Sequence, residues 1–409
     1  MNDLISRRNL MKSGGVIAVG LLTPRWLSTI AHADLVRQAK GGAAAKDTIL
    51  VVCQLSGGND GLNTVIPYAN KLYYAARPTL GLPEDKVLKL NEHLALHPAL
   101  AGLHQLYQEQ KVAIVQNVGY PTPNRSHFKS MEIWQSANLD TTKDGWIGRY
   151  LDSMGKQMKL DPVVALGLSG EQPLAIRGNA FSVPCFASLA YVQNMVGDPD
   201  AERLLRQVQG MDAMMGSNTR VVQQANRAAL DTVSILNAKL KNYAPKGAYA
   251  NDPFGQGFKQ IAQLLATSPS TRVVYFSAGG FDTHARQAEQ HDKLLKGFGD
   301  AVLAFQKEME ALGKADKVMT LVFSEFGRRV YQNDSQGTDH GAAAPMFLIG
   351  GQVKPGIHGS NPDLANLVDG DLKFETDFRQ VYAATLDQWM GGDSEVVLGQ
   401  KYAPAPVFK

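Results

Sequence analysis

Several features that would mark a special class of protein are scarce in this chain of 409 residues. Two cysteines are too few for a disulfide scaffold. No apolar run reaches the roughly 18 residues that a transmembrane helix needs, so the sequence predicts no membrane span. The formal net charge is only +3 and no run of Lys or Arg exceeds a pair, which excludes the basic stripe typical of nucleic-acid-binding proteins. A globular protein with an ordinary apolar core remains.

The two cysteines, Cys53 and Cys185, leave room for one bridge at most. Cys53 lies in the apolar run 48–53, and small buried thiols are the common case in such runs. The sequence therefore favours free thiols over a single disulfide.

The first 33 residues have the composition of an export signal. Residues 6–12, SRRNLMK, resemble the twin-arginine motif, an apolar stretch covers Gly14 to Leu22, and Ala31-His32-Ala33 resembles a cleavage site. An amphipathic N-terminal helix that happens to carry Arg-Arg is the alternative. Export would make the protein periplasmic or secreted, with the twin-arginine translocase as its partner. The segment accounts for the whole charge excess, with four basic residues against one acid, Asp3.

The rest of the chain divides into a tether and one domain. Residues 34–46 are rich in Ala and Gly, which predicts a flexible tether, and the pattern of 47–409 predicts a single α/β domain. Short apolar runs alternate with helical patterns, which is typical of a mostly parallel sheet covered on both faces. The predicted strands are Thr48–Leu55, Val112–Val118, Val163–Leu168, Thr271–Ser277, Val318–Ser324 and Pro345–Gly350. The predicted helices are Pro98–Gln108, Lys129–Ala137, Gly145–Met158, Phe254–Leu265, Leu294–Leu312 and Phe378–Trp389, with a helical insertion at about 198–247.

Acidic residues and histidines cluster at the ends of these strands. The clusters are Asn59-Asp60, Asn124–His127, Asp282–His284, Ser324–Arg328 and Asp339–Gly341. Ligands bind beyond the carboxyl ends of the strands in open parallel sheets. Carboxylates and imidazoles are the ligands of zinc and similar divalent ions, and several carboxylates gathered without a cation would repel one another. The clusters together therefore predict a metal site, although a single Asp after a strand is more often a helix N-cap.

Ser126 stands where a helix is predicted to begin. It fits an N-cap, and it also fits a nucleophile placed at the positive end of a helix dipole. Arg125 beside it is suited to pair with anionic oxygens, or it is an ordinary surface arginine. We expect His127 to assist Ser126 if the segment is catalytic.

Five motifs in this order resemble the alkaline phosphatase-like superfamily, which includes phosphatases, sulfatases, phosphodiesterases and phosphomutases. The motifs are Gln54–Asn63, Arg125–Phe128, Gly280–His284, Phe323–Arg328 and Thr338–Gly341. More narrowly, nearly all of the chain after residue 33 resembles a Tat-exported family of unknown function placed in that superfamily. The resemblance implies a three-layer α/β sandwich with a mostly parallel central sheet and a helical insertion. It also implies Ser126 as nucleophile and a set of metal ligands, namely Asp60, Asp282, His284, Glu325 and His340.

The sequence departs from the superfamily pattern at two places. Asp282 and His284 are spaced i,i+2 where the superfamily has i,i+4, and Phe326 follows Glu325 where a histidine is usual. Asp339 or His127 could replace the missing ligand. The site would then hold one divalent ion such as zinc, or two, or none.

Two functions remain open from the sequence. One is an exported metal-dependent hydrolase of phosphate or sulfate esters, acting on an anionic small molecule or polymer. The other is a catalytically inactive exported binding or assembly protein that keeps the fold, because fold alone does not decide function.

Overall fold

A computed structural model describes residues 47–189, 235, 236, 238 and 240–409 of the chain. The predicted export signal, the tether and most of the predicted insertion at about 198–247 lie outside these residues. Within them, no helix is both long enough and apolar enough to cross a membrane. Cys53 and Cys185 are free thiols.

The described residues form a nine-stranded sheet and a small three-stranded one. The strands of the large sheet are β1 (Ile49–Leu55), β5 (Val112–Gly119), β6 (Ala165–Leu168), β7 (Cys185–Phe186), β8 (Val273–Ala278), β9 (Val318–Phe323), β10 (Ala344–Ile349), β11 (Gly356–His358) and β12 (Thr376–Asp377). The small sheet contains β2 (Val65–Ile66), β3 (Leu88–Lys89) and β4 (Ala95–Leu96). The order across the large sheet is β11-β5-β10-β9-β1-β8-β6-β7, and β12 also pairs with β5. The mostly parallel α/β sheet is confirmed, and each predicted strand is present.

Helices cover both faces of the large sheet. The α-helices of the described residues are α1 (Gly61–Thr64), α2 (Lys71–Ala76), α3 (Ala101–Gln108), α4 (His127–Ser136), α5 (Trp146–Gly155), α6 (Pro253–Thr267), α7 (Gln287–Ala311), α8 (Phe378–Ala384) and α9 (Ser394–Leu398). Of these, α1 and α2 pack with the small sheet. Val51 and Cys53 of β1 join one apolar core with α3, α6 and α7. Leu50 and Val52 join the core with α4, α5 and α8 on the other face. Side chains alternate between faces along a strand, so the unbroken apolar sequence of β1 supplies both cores.

Strand β10 is antiparallel to both of its neighbours, β9 and β5. A parallel neighbour needs a crossover connection, usually a helix. The connection from β9 to β10, residues 324–343, contains no helix, and β10 runs back beside β9 in the opposite direction. The amino end of β10 therefore lies at the edge where β5, β8 and β9 have their carboxyl ends.

Helix α7 begins at Gln287, well before the predicted start at Leu294. The buried positions of its first turns are polar, Gln287 and His291, and the residues between them face solvent. A search for apolar periodicity finds no signal in such a segment. The late predicted helix is also present, as α8 followed by a π-helical turn at Thr385–Met390.

Candidate metal centre

The polar clusters predicted from the sequence meet at one edge of the large sheet. Residues 120–126 follow β5, residues 279–286 follow β8, and loop 324–343 follows β9 and leads into β10. Because β10 runs opposite to β9, the segment before β10 reaches the same edge as the segment after β9. The loops bring together three histidines, His127, His284 and His340, around the carboxylate of Asp282.

His127 is oriented by a buried carboxylate. Its Nδ1 lies 2.9 Å from Oε1 of Glu325, whose side chain has no exposed surface. A carboxylate at this position accepts, so Nδ1 carries the proton and Nε2 is left as the free nitrogen. That Nε2 is buried, has no hydrogen-bond partner among the described residues and lies 3.4 Å from Oδ1 of Asp282. A buried polar atom without a partner is unusual in a folded protein and suggests a missing ligand.

The other two imidazoles are oriented in the same manner. His340 places Nδ1 2.7 Å from the carbonyl oxygen of Arg125, and His284 places Nδ1 3.2 Å from Oδ1 of Asp339. Both acceptors are oxygens, so each Nδ1 donates and each Nε2 is directed elsewhere. The two Nε2 atoms lie 2.9 Å from each other.

The Oδ1 atom of Asp282 is the point on which the three rings converge. The Nε2 atoms of His284 and His340 each lie 3.1 Å from it. The ligand atoms of His127, Asp282 and His340 all lie within 4.8 Å of one another. Imidazole nitrogens with one carboxylate oxygen are a donor set that suits zinc, and a second hydrogen bond from each ligating histidine is the usual arrangement at metal sites. The donors therefore fit a divalent ion.

The charged state of the cluster follows from its neighbours. Burial would raise the pKa of Asp282, but its interactions with Arg328 and His340 hold it well below its usual value. The hydrogen bond to Glu325 raises the pKa of His127 above its ordinary value. The pKa of Asp339 is lowered by hydrogen bonds from Asn333 and His284, with burial acting in the opposite direction. Asp282 and Asp339 are thus ionised at neutral pH.

Phe326 forms an apolar wall of the cluster. Its side chain is buried, and its ring centroid lies 4.9 Å from that of His127 and 4.7 Å from that of His340. The ring thus restricts both imidazoles to the orientations that their hydrogen bonds select.

Asp60 and Glu325 are engaged by donors of the protein itself. The Oδ2 of Asp60 lies 2.5 Å from Nη1 of Arg77, and neither side chain is exposed. Glu325 accepts from the backbone N–H of Gly57 at 2.8 Å as well as from His127. The structure therefore brings Asp282, His284, Asp339 and His340 into the cluster, places Glu325 behind His127, and surrounds Asp60 with its own hydrogen-bond donors.

Ser126 and Arg125 lie beside the cluster on an exposed segment. Ser126 occupies the N-cap position of α4, but its hydroxyl makes no capping hydrogen bond to that helix. The guanidinium of Arg125, whose side chain is 40% exposed, pairs with Oδ2 of buried Asp371 at 2.5 Å. The ion pair thus holds the guanidinium of Arg125 against Asp371, and Ser126, the next residue in the chain, is exposed.

The sequence of the chain identifies its family. Residues 110–399 match the family described as "Protein of unknown function (DUF1501)". The chain belongs to this family. No curated protein matches it.

Several solved structures resemble this DUF1501 protein at low identity. A protein in the alkaline phosphatase superfamily from Vibrio parahaemolyticus is 10% identical, with a TM-score of 0.36 over 87% of this chain and 72% of the other. The periplasmic domain of EcEptC from Escherichia coli, solved with Zn, is also 10% identical, with a TM-score of 0.36 over 76% and 74%. The phosphonate monoester hydrolase SpPMH from Silicibacter pomeroyi is 9% identical, with a TM-score of 0.38 over 88% and 78%. Similarity at this level carries no inference about activity.

Three residues that shape the site in this DUF1501 protein have no recognisable signal in the sequence. Arg77 follows a short helix, Gln287 begins α7, and Asp371 lies in a turn. None of them is part of a metal-ligand spacing or a catalytic motif. Their contacts depend on residues far away in the chain, which the sequence alone does not reveal.

Proposed function

We propose that this protein is an exported, metal-dependent hydrolase of phosphate or sulfate esters. The observation that carries the proposal is the convergence of three Nε2 atoms on Oδ1 of Asp282, with each Nδ1 held by an oxygen. The ligands would be His127, Asp282, His284 and His340. We assign one ion per chain, because Asp60 lies in a fully buried ion pair with Arg77, and Oε1 of buried Glu325 accepts from both Gly57 and His127. Asp282 also accepts from Arg328, but half of its side chain is exposed.

The bound ion would supply positive charge that stabilises an anionic ester oxygen and polarises the ester. The protein itself contributes orientation and fixed charge. Glu325, Asp339 and the carbonyl of Arg125 hold the three imidazoles in place. The amino end of α4 favours an anion in front of Ser126, and Arg125 adds a positive charge at the same side.

Ser126 is the proposed nucleophile. Its residue is exposed and its hydroxyl makes no capping bond to α4, so the hydroxyl is free to approach an ester bound at the mouth of the cluster. His127 follows it directly and places the metal-binding nitrogen within the same turn. Such a nucleophile is activated when its hydroxyl loses a proton, and solvent water accepts that proton at this exposed position.

The experiment that tests the proposal has two parts. Protein recovered after export is analysed for metal by mass spectrometry, and about one equivalent of a divalent ion is expected. Wild type and Ser126→Ala are then assayed on aryl phosphates, phosphodiesters and aryl sulfates, with Ser335→Ala as a control at another exposed serine. Unchanged turnover in Ser126→Ala would remove the serine from the nucleophile role. A protein without metal would instead support an inactive binding or assembly function.

Export is tested separately. The motif at residues 6–12 predicts that Arg7→Lys together with Arg8→Lys keeps the protein in the cytoplasm. Fractionation of cells checks this, with Arg25→Lys as the control. Normal export of the double variant would exclude the twin-arginine route.

A further inference from the structure

Asp60 is surrounded by hydrogen-bond donors of the chain. Its Oδ2 accepts from Nη1 of Arg77 at 2.5 Å and from Nε2 of Gln287 at 2.5 Å. Its Oδ1 accepts from the backbone N–H of Asn63 at 3.3 Å. The side chains of Asp60, Arg77 and Gln287 are all buried. Both oxygens are therefore committed, and the charge of the carboxylate is balanced by a guanidinium.

Gln287 connects Asp60 to the two loops that carry the candidate ligands. Its Oε1 accepts from the hydroxyl of Thr283 at 3.0 Å and from the hydroxyl of Thr338 at 2.6 Å. Thr283 lies between Asp282 and His284, and Thr338 directly precedes Asp339. The backbone N–H of Thr338 also donates to the carbonyl of Thr283 at 3.2 Å. A carboxamide suits this position, because its oxygen accepts from both threonine hydroxyls while its NH2 group donates to Asp60.

Arg77 fixes the remaining part of the same region. Its Nε donates to the carbonyl of Val330 at 2.9 Å and its Nη2 to the carbonyl of Arg329 at 2.9 Å. These residues follow the arginine that contacts Asp282. Arg77, paired with Asp60, therefore holds loop 324–343 at residues 329 and 330, and Gln287 extends the contact to residues 283 and 338.

We propose that Asp60 is a positioning residue and not a metal ligand: it holds the two ligand-bearing loops through Gln287 and Arg77. This inference rests on the proposed metal function. Its consequence is that three of the four ligand residues, Asp282, His284 and His340, lie on loops that buried hydrogen bonds arrange before any ion arrives. Groups that hold metal ligands in place in this way commonly change metal affinity by about 10–100-fold when they are removed.

The decisive variant removes the buried pair as a whole. Asp60→Asn alone would leave Arg77 without a counter-ion and could prevent folding, so Asp60→Leu is combined with Arg77→Met. Zn²⁺ binding is measured by competition with a chelating dye on the full chain. We expect one Zn²⁺ per chain with affinity lowered about 10–100-fold. If the double variant loses the ion as completely as Asp282→Ala does, Asp60 is a ligand and the inference is wrong.

The route through Gln287 is tested by a double-mutant cycle. Gln287→Leu is expected to lower Zn²⁺ affinity, and its effect should not add to that of Asp60→Leu/Arg77→Met, because both break one connected network. Gln306→Leu is the matched control, since Gln306 is a buried glutamine of the same helix whose Nε2 has no hydrogen-bond partner in the described part of the chain. Fully additive effects would contradict the proposed connection.

A readout without metal separates this inference from the proposed function. Amide hydrogen exchange of residues 281–284 and 336–340 is compared in Gln287→Leu and Gln306→Leu. We expect exchange about tenfold faster in Gln287→Leu, because loss of local hydrogen bonds lowers the cost of local opening. Equal exchange in the two variants would overturn the positioning role. A wild type that binds no Zn²⁺ but shows this difference would overturn only the metal function.

Discussion

The Nδ1 of His127 lies 2.9 Å from Oε1 of Glu325, and this single contact decides which nitrogen of the histidine faces the cluster. Glu325 is itself held by the backbone N–H of Gly57, at 2.8 Å, so its position does not depend on His127. In the proposed metal site, the buried carboxylate would act on a bound ion through the imidazole and not by direct contact. The same logic applies to Asp339 behind His284.

Replacing Glu325 should weaken metal binding without removing a ligand. We expect Glu325→Ala to lower Zn²⁺ affinity by about 10–100-fold, because His127 loses the acceptor that fixes its ring. Glu325→Gln keeps an acceptor oxygen and should lose less. A chelator competition titration measures both, with circular dichroism as a check of folding. Equal affinity in wild type and Glu325→Ala would contradict the role of this contact.

Arg125 should affect the substrate more than the metal. Its carbonyl, which accepts from His340, survives any substitution, whereas its guanidinium does not. Asp371 is changed to Asn in parallel, so that no buried carboxylate is left unpaired. In that background Arg125→Met should raise KM for an anionic ester about 10–100-fold, since a hydrogen bond to a charged group contributes about 1.5–3 kcal/mol. Zn²⁺ affinity should change little.

The control for Arg125 is Lys317→Met, which removes one positive charge at the opposite edge of the sheet, just before β9. An equal rise of KM in both variants would show that overall charge, and not Arg125, attracts the substrate.

Gly58 should be less replaceable than another glycine with the same backbone conformation. Its φ is +76°, and a Cβ there would collide with the ring of Phe326. Gly313 has φ +65°, and a Cβ added to it would meet no atom of the described residues within 4 Å. Gly313→Ala should cost about 1–2 kcal/mol from the left-handed conformation, and Gly58→Ala about 1–3 kcal/mol more from overpacking. Urea unfolding measures the difference, and equal losses would disprove the steric role of Phe326.

Glu109 should make stability depend on acid pH. Hydrogen bonds from Lys111, Lys307 and Gln105 lower the pKa of Glu109 to about 2 from 4.5. A folded pKa below the unfolded one gives stability that is present above about pH 4.5 and is lost as the pH falls towards 2. Between pH 6 and pH 3, we expect Glu109→Gln to lose about 1 kcal/mol less free energy of unfolding than the wild type loses.

Chemical unfolding at pH 6 and at pH 3 checks the effect of Glu109→Gln. Glu84→Gln is the control, since Glu84 is 60% exposed and pairs with Lys89. The prediction fails if Glu109→Gln and wild type lose the same free energy of unfolding between the two pH values.

The fold could be predicted well from the sequence because its signals are local. An unbroken apolar run such as β1 is typical of a strand buried on both faces, and the alternation with helical patterns indicates the mostly parallel sheet. The start of α7 escapes prediction because its buried positions are Gln287 and His291, which carry no apolar period. The direction of β10 is likewise not available from the composition of its own residues.

The candidate site could be predicted in part, and the reason lies in sequence distance. Asp282, His284 and His340 follow or precede strands, so the rule for strand ends places them together. The sequence predicts His127 mainly as an assistant of Ser126. Its orientation by Glu325 escapes prediction, because the two residues are 198 positions apart in the chain. The contact between Asp60 and Arg77 escapes prediction because an isolated arginine after a short helix has no distinctive pattern.

The reversal of β10 makes loop 324–343 one continuous segment between two adjacent strands. Glu325 and Arg328 stand at its beginning and Asp339 and His340 near its end, while its two ends join adjacent strands. A donor loop of equal length from another member of the family could therefore be grafted between β9 and β10 as one cassette. Such a graft would transfer His340 together with Glu325 and Asp339, which orient His127 and His284. It offers a direct way to exchange site chemistry within the family while the rest of the scaffold is kept.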